Sequence, residues 1–383
     1  MEIVFVHPAL IGALIATGLF FYGLYHIVKG FSFGERLLAL AKSLGLVRAS
    51  DNPIIVRSGR SWEAHGVMNP AAVRAVDRVH IFYRAVGSDG VSRIGYASSI
   101  DGVKVDERLP YPVFALSTPT DEYSKAFAHH MGLNKSGGSF AGVEDPRATV
   151  IDDRMYLSFN AFSGWNSLRV GVSSIQLDDL LKQKWNWTPP TFISPPRQVH
   201  KSWVLFPEKI DGKYAVLHSL HSGSRDSVLV DYLDTLHEEP KTPIISPYNP
   251  KTASSVWDST LRGPGAPPIK TDKGWLLLYH ANDARESHKY KLGALLLDLL
   301  NPSKVLARAP LPVLTPDAPY ENDGKPGIVY ACGAVADDDT LRVYYGGGDS
   351  VVCTAHTSLS KLLNTLSHPF DTLPAPALRL STI

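Results

Sequence analysis

The sequence is poor in cysteine and has almost no net charge. Its 383 residues include two cysteines, Cys332 and Cys353, and neither belongs to a CxxC motif or to a cluster with histidines. A zinc site and a disulfide framework are therefore disfavoured, and both cysteines suit a buried position. The net charge is +1, without a basic run or an acidic tail, so nothing favours nucleic acid as a partner. No carboxylates cluster as metal ligands do, so we expect no metal.

Charged residues are also missing from residues 3–28, which are almost wholly apolar or small. This run is long enough to cross a bilayer, which needs about 20 residues. A cleaved signal peptide is disfavoured because no basic residue precedes the run and the run is too long; a buried helix is the alternative. Basic residues follow the run, so the positive-inside rule places the rest of the chain in the cytoplasm. We therefore expect a membrane-associated, single-pass protein with a cytoplasmic main domain.

The chain divides into three expected parts. Residues 1–30 are the hydrophobic anchor, and residues 31–52 are an amphipathic linker helix. From residue 53 to residue 383, proline and glycine interrupt short alternating runs, which is typical of an all-β domain. Five segments in this domain repeat one pattern, and their first runs begin at residues 79, 155, 213, 275 and 341. The regular spacing predicts a five-bladed β-propeller, whereas a β-sandwich, the alternative, does not predict repeats.

The repeated runs end at polar residues or lie just before one. In a propeller the inner strands of all blades run toward one face, so these polar tips would converge around a central channel. Converging polar groups in a concave pocket are a binding-site hypothesis, although each of them alone is more often a structural residue. The tips are Arg84, Asn160, His218 and His280, with Asp349 just beyond the fifth run.

The segment Glu144-Asp145-Pro146-Arg147 carries the clearest chemical signal. Because proline disfavours a helical conformation in the residue before it, we expect Asp145 in an extended or turn segment. A carboxylate held there is well placed to act as a general acid, and burial would raise its pKa as that role requires. We interpret Arg147 as bracing the turn and Glu144 as pointing to the opposite side. An acidic turn with an Asp–Arg ion pair is the alternative.

These motifs together resemble glycoside hydrolase family 130, five-bladed propellers that act on β-mannosides. The likeness covers roughly residues 53–363 and includes Asn69-Pro70-Ala71, the first repeat, Glu144–Arg147 and Lys201–Lys209 in the same order. The chain is also similar to the β-1,2-mannosyltransferases of glycosyltransferase family 108. The resemblance implies an inverting β-mannoside phosphorylase or mannosyltransferase that moves mannose between a β-mannoside oligosaccharide and phosphate through mannose 1-phosphate. Inorganic phosphate would be the co-substrate, and no cofactor is implied.

The resemblance also implies roles for single residues. Asp145 would be the general acid, and Lys201 and His218 would bind phosphate. His280, as the fourth tip, is a further substrate-binding candidate. The mannosyl unit would be held by Asn69, Arg84, Arg93 and Asp349.

One position departs from the family pattern, because Ser219 follows His218 where many members have arginine. A phosphate-binding arginine is therefore open among Arg169, Arg197 and Arg225. Without it, an exo-acting β-mannosidase that uses water is the alternative, since hydrolysis needs a base where phosphorolysis needs a cationic pocket. A non-catalytic glycan-binding propeller is the third hypothesis, and retention of Asp145 together with the cationic residues argues against it.

Overall fold

Short, mainly antiparallel strands are the main secondary structure of the part of the chain that the structure describes, as the alternating apolar runs of the sequence require. The structure, a computed structural model, describes residues 45–116, 141–162, 168–196, 198–220, 226–237 and 257–366. Two α-helices occur in these ranges, α1 (Leu177–Leu181) and α2 (Leu359–Leu366). The first ten strands are β1 (Val47–Arg48), β2 (Gly66–Ala75), β3 (Arg78–Val86), β4 (Val91–Ser99), β5 (Glu107–Arg108), β6 (Ala141–Ile151), β7 (Arg154–Phe162), β8 (Arg169–Gln176), β9 (Thr191–Phe192) and β10 (Val204–Ile210). The next ten are β11 (Lys213–Ser219), β12 (Leu229–Leu233), β13 (Thr260–Pro264), β14 (Ile269–Thr271), β15 (Gly274–Asn282), β16 (Lys291–Leu297), β17 (Val305–Arg308), β18 (Val329–Asp337), β19 (Thr340–Gly347) and β20 (Val351–Ser358).

These strands form four hydrogen-bonded sheets. Their orders are β1-β20-β19-β18, β10-β11-β12, β13-β15-β16-β17 with β14 on β15, and β2-β3-β4-β6-β7-β8-β9 with β5 on β4. The all-β class agrees with this arrangement. The five separate blades predicted from the repeats do not, because the described strands give four sheets and none of them is closed.

A parallel contact between β4 and β6 is the reason for this correction. Val91 lies opposite Ala141 and Ser92 lies opposite Gly142, which joins the first two repeats into one eight-stranded sheet. Gly142 permits the contact, because its φ is 105° and a Cβ there would lie 2.3 Å from the Ser92 carbonyl oxygen. A larger residue would therefore push the two strands apart.

The repeated runs occupy the middle strands of five repeat units. Unit one is β2–β5, unit two is β6–β9, unit three is β10–β12, unit four is β13–β17, and unit five is β18–β20 with β1. In the first strand of every unit the pairing register shifts, which marks a β-bulge. The shifts lie between Met68 and Ala71, Glu144 and Arg147, Leu205 and Lys209, Leu261 and Gly263, and Ala331 and Gly333. A bulge re-aims the side chains of its strand, and bulges are common beside active sites.

A buried carboxylate, a tyrosine and an arginine connect the strands within units one, four and five. The tyrosine lies in the middle strand and donates its hydroxyl proton to the carboxylate, at 3.0, 2.8 and 2.9 Å respectively. The arginine comes from an outlying strand and pairs with the same carboxylate. Since a buried charge is costly unless it is paired, each triad fixes the segment before the first strand of its unit. The triads are Glu63–Tyr83–Arg108, Asp258–Tyr279–Arg308 and Glu321–Tyr345–Arg48.

Hydrophobic clusters fill the spaces between neighbouring units. One cluster packs Phe82 of unit one against Phe159 of unit two, and others join units two to three, three to four and four to five. A fifth cluster places Tyr344 of unit five with Ile81 of unit one. The units are therefore connected in sequence by side-chain burial, including the last to the first, and the first strands β2, β6 and β18 contact one another.

The expected membrane anchor is corrected. Within the part of the chain that the structure describes, no helix is long and apolar enough to span a bilayer. Residues 3–28, where the anchor was expected, lie outside that part, and we withdraw the membrane-associated, single-pass localisation. Val47–Arg48 lies inside the segment 31–52 for which a linker helix was expected, yet it forms β1 and pairs with β20. The remaining division of the chain stays a prediction.

Candidate active site

Asn69 and Asp145 occupy matching bulges in the first strands of units one and two. Each precedes a proline, and each has a positive φ, 49° for Asn69 and 48° for Asp145. Asn and Asp enter this left-handed region more readily than other residues with side chains. The bulges bring the two side chains together, so the Asn69 amide donates to Asp145 Oδ1 at 2.8 Å. Gly346 leaves room for this contact, because a Cβ there would lie 2.2 Å from the Asn69 side-chain oxygen.

Asp145 is buried and accepts hydrogen bonds from three side chains. Besides Asn69, Arg84 donates to Oδ1 at 3.1 Å and the Asn160 amide donates to Oδ2 at 3.3 Å. The carboxyl group is only 6% exposed. Because N–H groups supply all three bonds, the arrangement stabilises the ionised carboxylate and fixes its orientation.

The pKa of Asp145 is shifted downward, whereas burial alone predicted an upward shift. Burial raises this pKa, but the charges of Arg84 and Lys201, the hydrogen bond from Asn69 and the charge of Arg147 outweigh it and hold the pKa below its ordinary value. The predicted upward shift was wrong because the folding that buries the carboxylate also brings these cations to it.

Arg84 connects the two carboxylates of the motif. One terminal nitrogen donates to Asp145 at 3.1 Å, the other donates to Glu144 at 2.8 Å, and Nε donates to Ser92 Oγ at 3.1 Å. Lys201 Nζ lies 3.7 Å from the second oxygen of Glu144. Glu144 therefore does not point away from Asp145 as strand alternation predicted, since the bulge interrupts that alternation. The result is a buried cluster of two carboxylates and two cations.

Arg147 has the structural role that the sequence indicated. It is 1% exposed and donates to the main-chain oxygens of Asp145 at 2.8 Å and Gly265 at 2.9 Å. These bonds hold the bulged backbone of unit two against the first strand of unit four. Arg147 thus fixes the position of Asp145 through its main chain and makes no hydrogen bond to its carboxylate in the contacts that we observe among the described residues.

Asn160, Ser202 and Tyr330 form a second chain of contacts to Asp145. The side-chain oxygen of Asn160 accepts from the Ser202 amide at 2.9 Å, and Ser202 Oγ lies 2.9 Å from the hydroxyl of the half-buried Tyr330. Ser202 has a positive φ of 62° and directly follows Lys201. Asn160 was visible as a repeat tip and Ser202 lay within the Lys201–Lys209 motif without a role of its own, whereas no sequence pattern marked Tyr330. The roles of Ser202 and Tyr330 were missed because the two residues come from different units.

His280 supports Tyr330 rather than the acid itself. It is fully buried, and its Nε2 accepts the Ala331 amide proton at 2.9 Å. Its ring stacks on Tyr330 with 4.0 Å between the centroids and 10° between the planes. Burial, followed by the charge of Arg147, lowers the pKa of His280 to about 3, so it is neutral. Its predicted contact with substrate stays untested, and its position does not favour one.

No contact between His218 and Asp145 is observed among the described residues. The His218 side chain is fully buried and packs on Trp203 at 5.4 Å, with the Asp231 carboxylate 3.8 Å from Nε2. Burial lowers the pKa of His218, and Asp231 only partly opposes the shift. A neutral buried imidazole is a poor phosphate ligand, so this predicted role also stays untested and is not favoured by the geometry.

Arg93 and Asp349 do not touch Asp145 in any contact that we observe among the described residues. Arg93 pairs with Asp89 at 2.6 Å. Asp349 has a positive φ of 50°, pairs with Lys325 at 3.4 Å and raises the pKa of Arg84 by its charge. Their predicted roles in holding a mannosyl unit remain predictions.

Of the three arginines considered as phosphate ligands, the structure describes one, Arg169. Arg169 donates to the Ser194 carbonyl oxygen, and its guanidinium lies 5.0 Å from the centre of the Phe192 ring. It therefore holds a loop. Arg197 and Arg225 lie outside the described residues. Within the described ranges, no three His, Cys, Asp or Glu side chains are grouped to hold a metal ion.

Comparison with known proteins decides the family. The model of glycoside hydrolase family 130, described as beta-1,4-mannooligosaccharide phosphorylase, matches residues 53–368. The chain belongs to glycoside hydrolase family 130. A family 130 relative from a Thermoanaerobacter species, a 1,2-beta-oligomannan phosphorylase, is 34% identical over 322 residues, which cover 81% of this chain and 96% of the relative.

A second relative and a solved structure are also similar to this chain. A beta-1,2-mannobiose phosphorylase, also from Thermoanaerobacter, is 34% identical over 325 residues, covering 81% of this chain and 96% of the relative. The solved structure of the beta-1,2-mannobiose phosphorylase from Listeria innocua shares the fold, with a TM-score of 0.64 at 24% identity over 84% of this chain and 99% of that chain. The family resemblance and the enzyme class expected from the sequence are confirmed.

Proposed function

We propose that this family 130 enzyme is an inverting β-mannoside phosphorylase that exchanges mannosyl units between β-mannosides and phosphate through mannose 1-phosphate. The observation that carries the proposal is the buried Asp145, oriented by three N–H donors, with Lys201 beside the adjoining carboxylate. The Thermoanaerobacter relatives are named for β-1,2-linked mannosides, and we propose the same linkage for this substrate.

Asp145 supplies the acid chemistry in this mechanism. Its protonated form gives a proton to the glycosidic oxygen while the bond from that oxygen to the anomeric carbon breaks. Hydrogen phosphate bonds to the same carbon from the opposite face, which inverts the configuration. The proton that hydrogen phosphate carried is then released from the new phosphate ester, and Asp145 takes up a proton for the next turnover. The products are mannose 1-phosphate and the shortened mannoside, and no second base is needed because phosphate is already an anion.

Phosphate would also prepare the acid. The charges of Arg84 and Lys201 outweigh burial and hold the pKa of Asp145 below its ordinary value, so Asp145 must take up a proton before it can protonate a leaving group. Phosphate bound to Lys201 places negative charge beside the two carboxylates and offsets the cations, which raises the pKa of Asp145. In the synthetic direction the ionised Asp145 is already the base that accepts a proton from the acceptor hydroxyl.

Asn69 is suited to hold the sugar as well as the acid. Its amide nitrogen is used by Asp145, while its buried side-chain oxygen has no hydrogen-bond partner among the described residues. A buried acceptor left without a partner is costly. A hydroxyl group of the mannosyl unit would satisfy it.

Hydrolysis is the less favoured alternative. An inverting hydrolase needs a second carboxylate as the base that activates water. Glu144, the neighbouring carboxylate, is bound by Arg84 at 2.8 Å and lies 3.7 Å from Lys201. Two cations on one carboxylate make it a weak base and make the surroundings suitable for an anion.

Phosphate dependence tests the proposal. The purified protein is incubated with β-1,2-mannobiose, with and without phosphate, and mannose 1-phosphate and free mannose are measured. We expect equal amounts of the two products, formed only when phosphate is present. Equal rates of cleavage with and without phosphate would instead establish a hydrolase, and binding without turnover in either condition would establish a non-catalytic protein.

A further inference from the structure

A second cavity lies between units two and three, away from Asp145. It has a volume of about 680 Å³ and is bounded by strands β7, β8 and β9 of unit two and by β10, β11 and the segment after β12 of unit three. Ligand clefts commonly have volumes of roughly 300–1,000 Å³. We call this cavity the lateral groove.

The lateral groove is well separated from the acid along one strand. Tyr156, which lines the groove, and Asn160, which binds Asp145, lie on the same face of β7 because they are four residues apart. Their Cα atoms are therefore about 13 Å apart at the usual rise of an extended strand. Ser158 lies between them, is buried and donates to the Trp203 carbonyl oxygen. This buried contact separates the lateral groove from Asp145.

Hydroxyl groups dominate the polar lining of the lateral groove. Seven of its fourteen lining residues carry one, and each hydroxyl can both donate and accept hydrogen bonds. Two of them, Tyr156 and Tyr214, lie with their hydroxyl oxygens 3.1 Å apart and their rings at 65°. Both tyrosines are only partly buried, so part of each ring surface is exposed beside the paired hydroxyls.

The charges of the lateral groove suit a neutral ligand. The lining contains Arg154, Lys209 and one carboxylate, Asp234. Asp234 pairs with Lys213 at 3.1 Å, while Lys209 lies 4.0 Å from Asp152. Arg154 donates to Ser174 Oγ at 3.1 Å, and the Lys209 ammonium lies 4.8 Å from the centre of the Tyr214 ring. These contacts already engage the two cations, which argues against a strong anion site.

We propose that the lateral groove binds a neutral oligosaccharide, and specifically a second β-mannan chain, separate from the one whose end lies at Asp145. Sugar rings present C–H faces to aromatic side chains and hydroxyls to Ser, Thr and Tyr, and the groove supplies both kinds of group. The choice of β-mannan rests on the proposed function. A second binding place on the same enzyme raises the local concentration of long chains, which gives them a lower KM than the disaccharide.

Binding stoichiometry tests the groove separately from catalysis. The Asp145→Asn protein is titrated calorimetrically with β-1,2-mannohexaose, and cellohexaose serves as the control sugar. We expect two binding events with the mannoside, and one after Tyr214→Ala or Tyr156→Ala is added. A single event in the parent, or two events retained in both tyrosine variants, would overturn the proposal.

Steady-state kinetics of Tyr214 variants that retain Asp145 gives a second test of the lateral groove. We expect Tyr214→Ala to raise the KM for the hexasaccharide about fivefold, the size of one lost aromatic contact, while kcat and the KM for mannobiose stay the same. Tyr214→Phe keeps the ring and guards against a folding defect; we expect it to have a smaller effect in the same direction. Loss of phosphate-dependent turnover in the wild type would overturn the proposed function alone, because the titration measures binding.

Discussion

Replacing Lys201 by alanine is the most direct way to separate phosphate binding from acid catalysis. The Lys201 side chain is 17% exposed and its ammonium lies 3.7 Å from Glu144, so it can reach an anion while it remains next to the carboxylate pair. The substitution removes one positive charge from a cluster that otherwise contains Arg84, Glu144 and Asp145. Two separable effects follow from this loss.

The first effect concerns phosphate. A hydrogen bond between a charged donor and an anion contributes about 1.5–3 kcal/mol. Losing it raises the KM for phosphate by about 10-fold to 150-fold, because 1.4 kcal/mol corresponds to a factor of ten. The affinity for the mannoside should change far less, since the groups that surround Asp145 on the sugar side remain.

The second effect concerns pH. The positive charge of Lys201 is one of the causes that lower the pKa of Asp145, so its removal raises that pKa. Phosphorolysis requires protonated Asp145, and its rate falls as pH rises through this pKa. We therefore expect the alkaline fall of kcat/KM to move to higher pH in Lys201→Ala, although the rate at limiting phosphate is lower.

Steady-state phosphorolysis measured between pH 3 and pH 9 at several phosphate concentrations would show both effects. Lys270→Ala is the matched control, because Lys270 pairs with Glu208 on the surface and its side chain is 53% exposed. An unchanged KM for phosphate in Lys201→Ala would refute the assigned phosphate site. A shift of the alkaline fall of kcat/KM to lower pH in Lys201→Ala would refute the electrostatic account of Asp145.

Three further perturbations test the acid and the scaffold. Asp145→Asn should lower kcat for phosphorolysis by about 10²–10⁴, the usual contribution of a general acid, with the far-ultraviolet circular dichroism unchanged. Arg108→Met leaves the fully buried Glu63 with fewer donors, so urea unfolding should show a loss of about 3–5 kcal/mol, whereas Arg285→Met on the exposed surface should lose little. His280 has a pKa of about 3 in the folded protein against 6.5 ordinarily, so the unfolded chain binds its proton first and stability falls as pH drops from about 6.5 towards 3. His280→Gln should therefore lose less stability than the wild type between pH 7 and pH 4.5, and equal losses would contradict this.

Local sequence patterns were sufficient to locate the strands and to single out Asp145, the proposed acid. Apolar runs with polar tips marked β3, β7, β11, β15 and β19, because alternation in a half-buried strand is a local property. Asp145 was found from the carboxylate pair and the proline that follows it. The bulge at Asp145 was not found, because the residue before proline ordinarily prefers an extended conformation and the left-handed φ of 48° depends on its tertiary contacts.

Two features could not be predicted from the sequence, the joining of the first two repeats and the direction of the Asp145 pKa shift, because both depend on contacts between units. The joining of the first two repeats depends on the close approach of Gly142 to Ser92, which lie 50 positions apart. The direction of the Asp145 pKa shift depends on Arg84 from unit one and Lys201 from the segment before unit three. Periodicity within one segment carries no information about either.

The repeat tips show why equivalent sequence positions need not share a role. In units one and two the tips, Arg84 and Asn160, lie beside bulges that carry Asn69 and Asp145, and all four side chains meet in one hydrogen-bonded group. In unit four the tip is His280, which is covered by a stacked tyrosine. The residue at each bulge and the side chain that covers each tip therefore determine which tips can reach a substrate, and repetition alone does not. An acid that needs both a fixed orientation and a changeable charge belongs where two such bulges face each other, because one bulge supplies the carboxylate and the other supplies the donor that holds it.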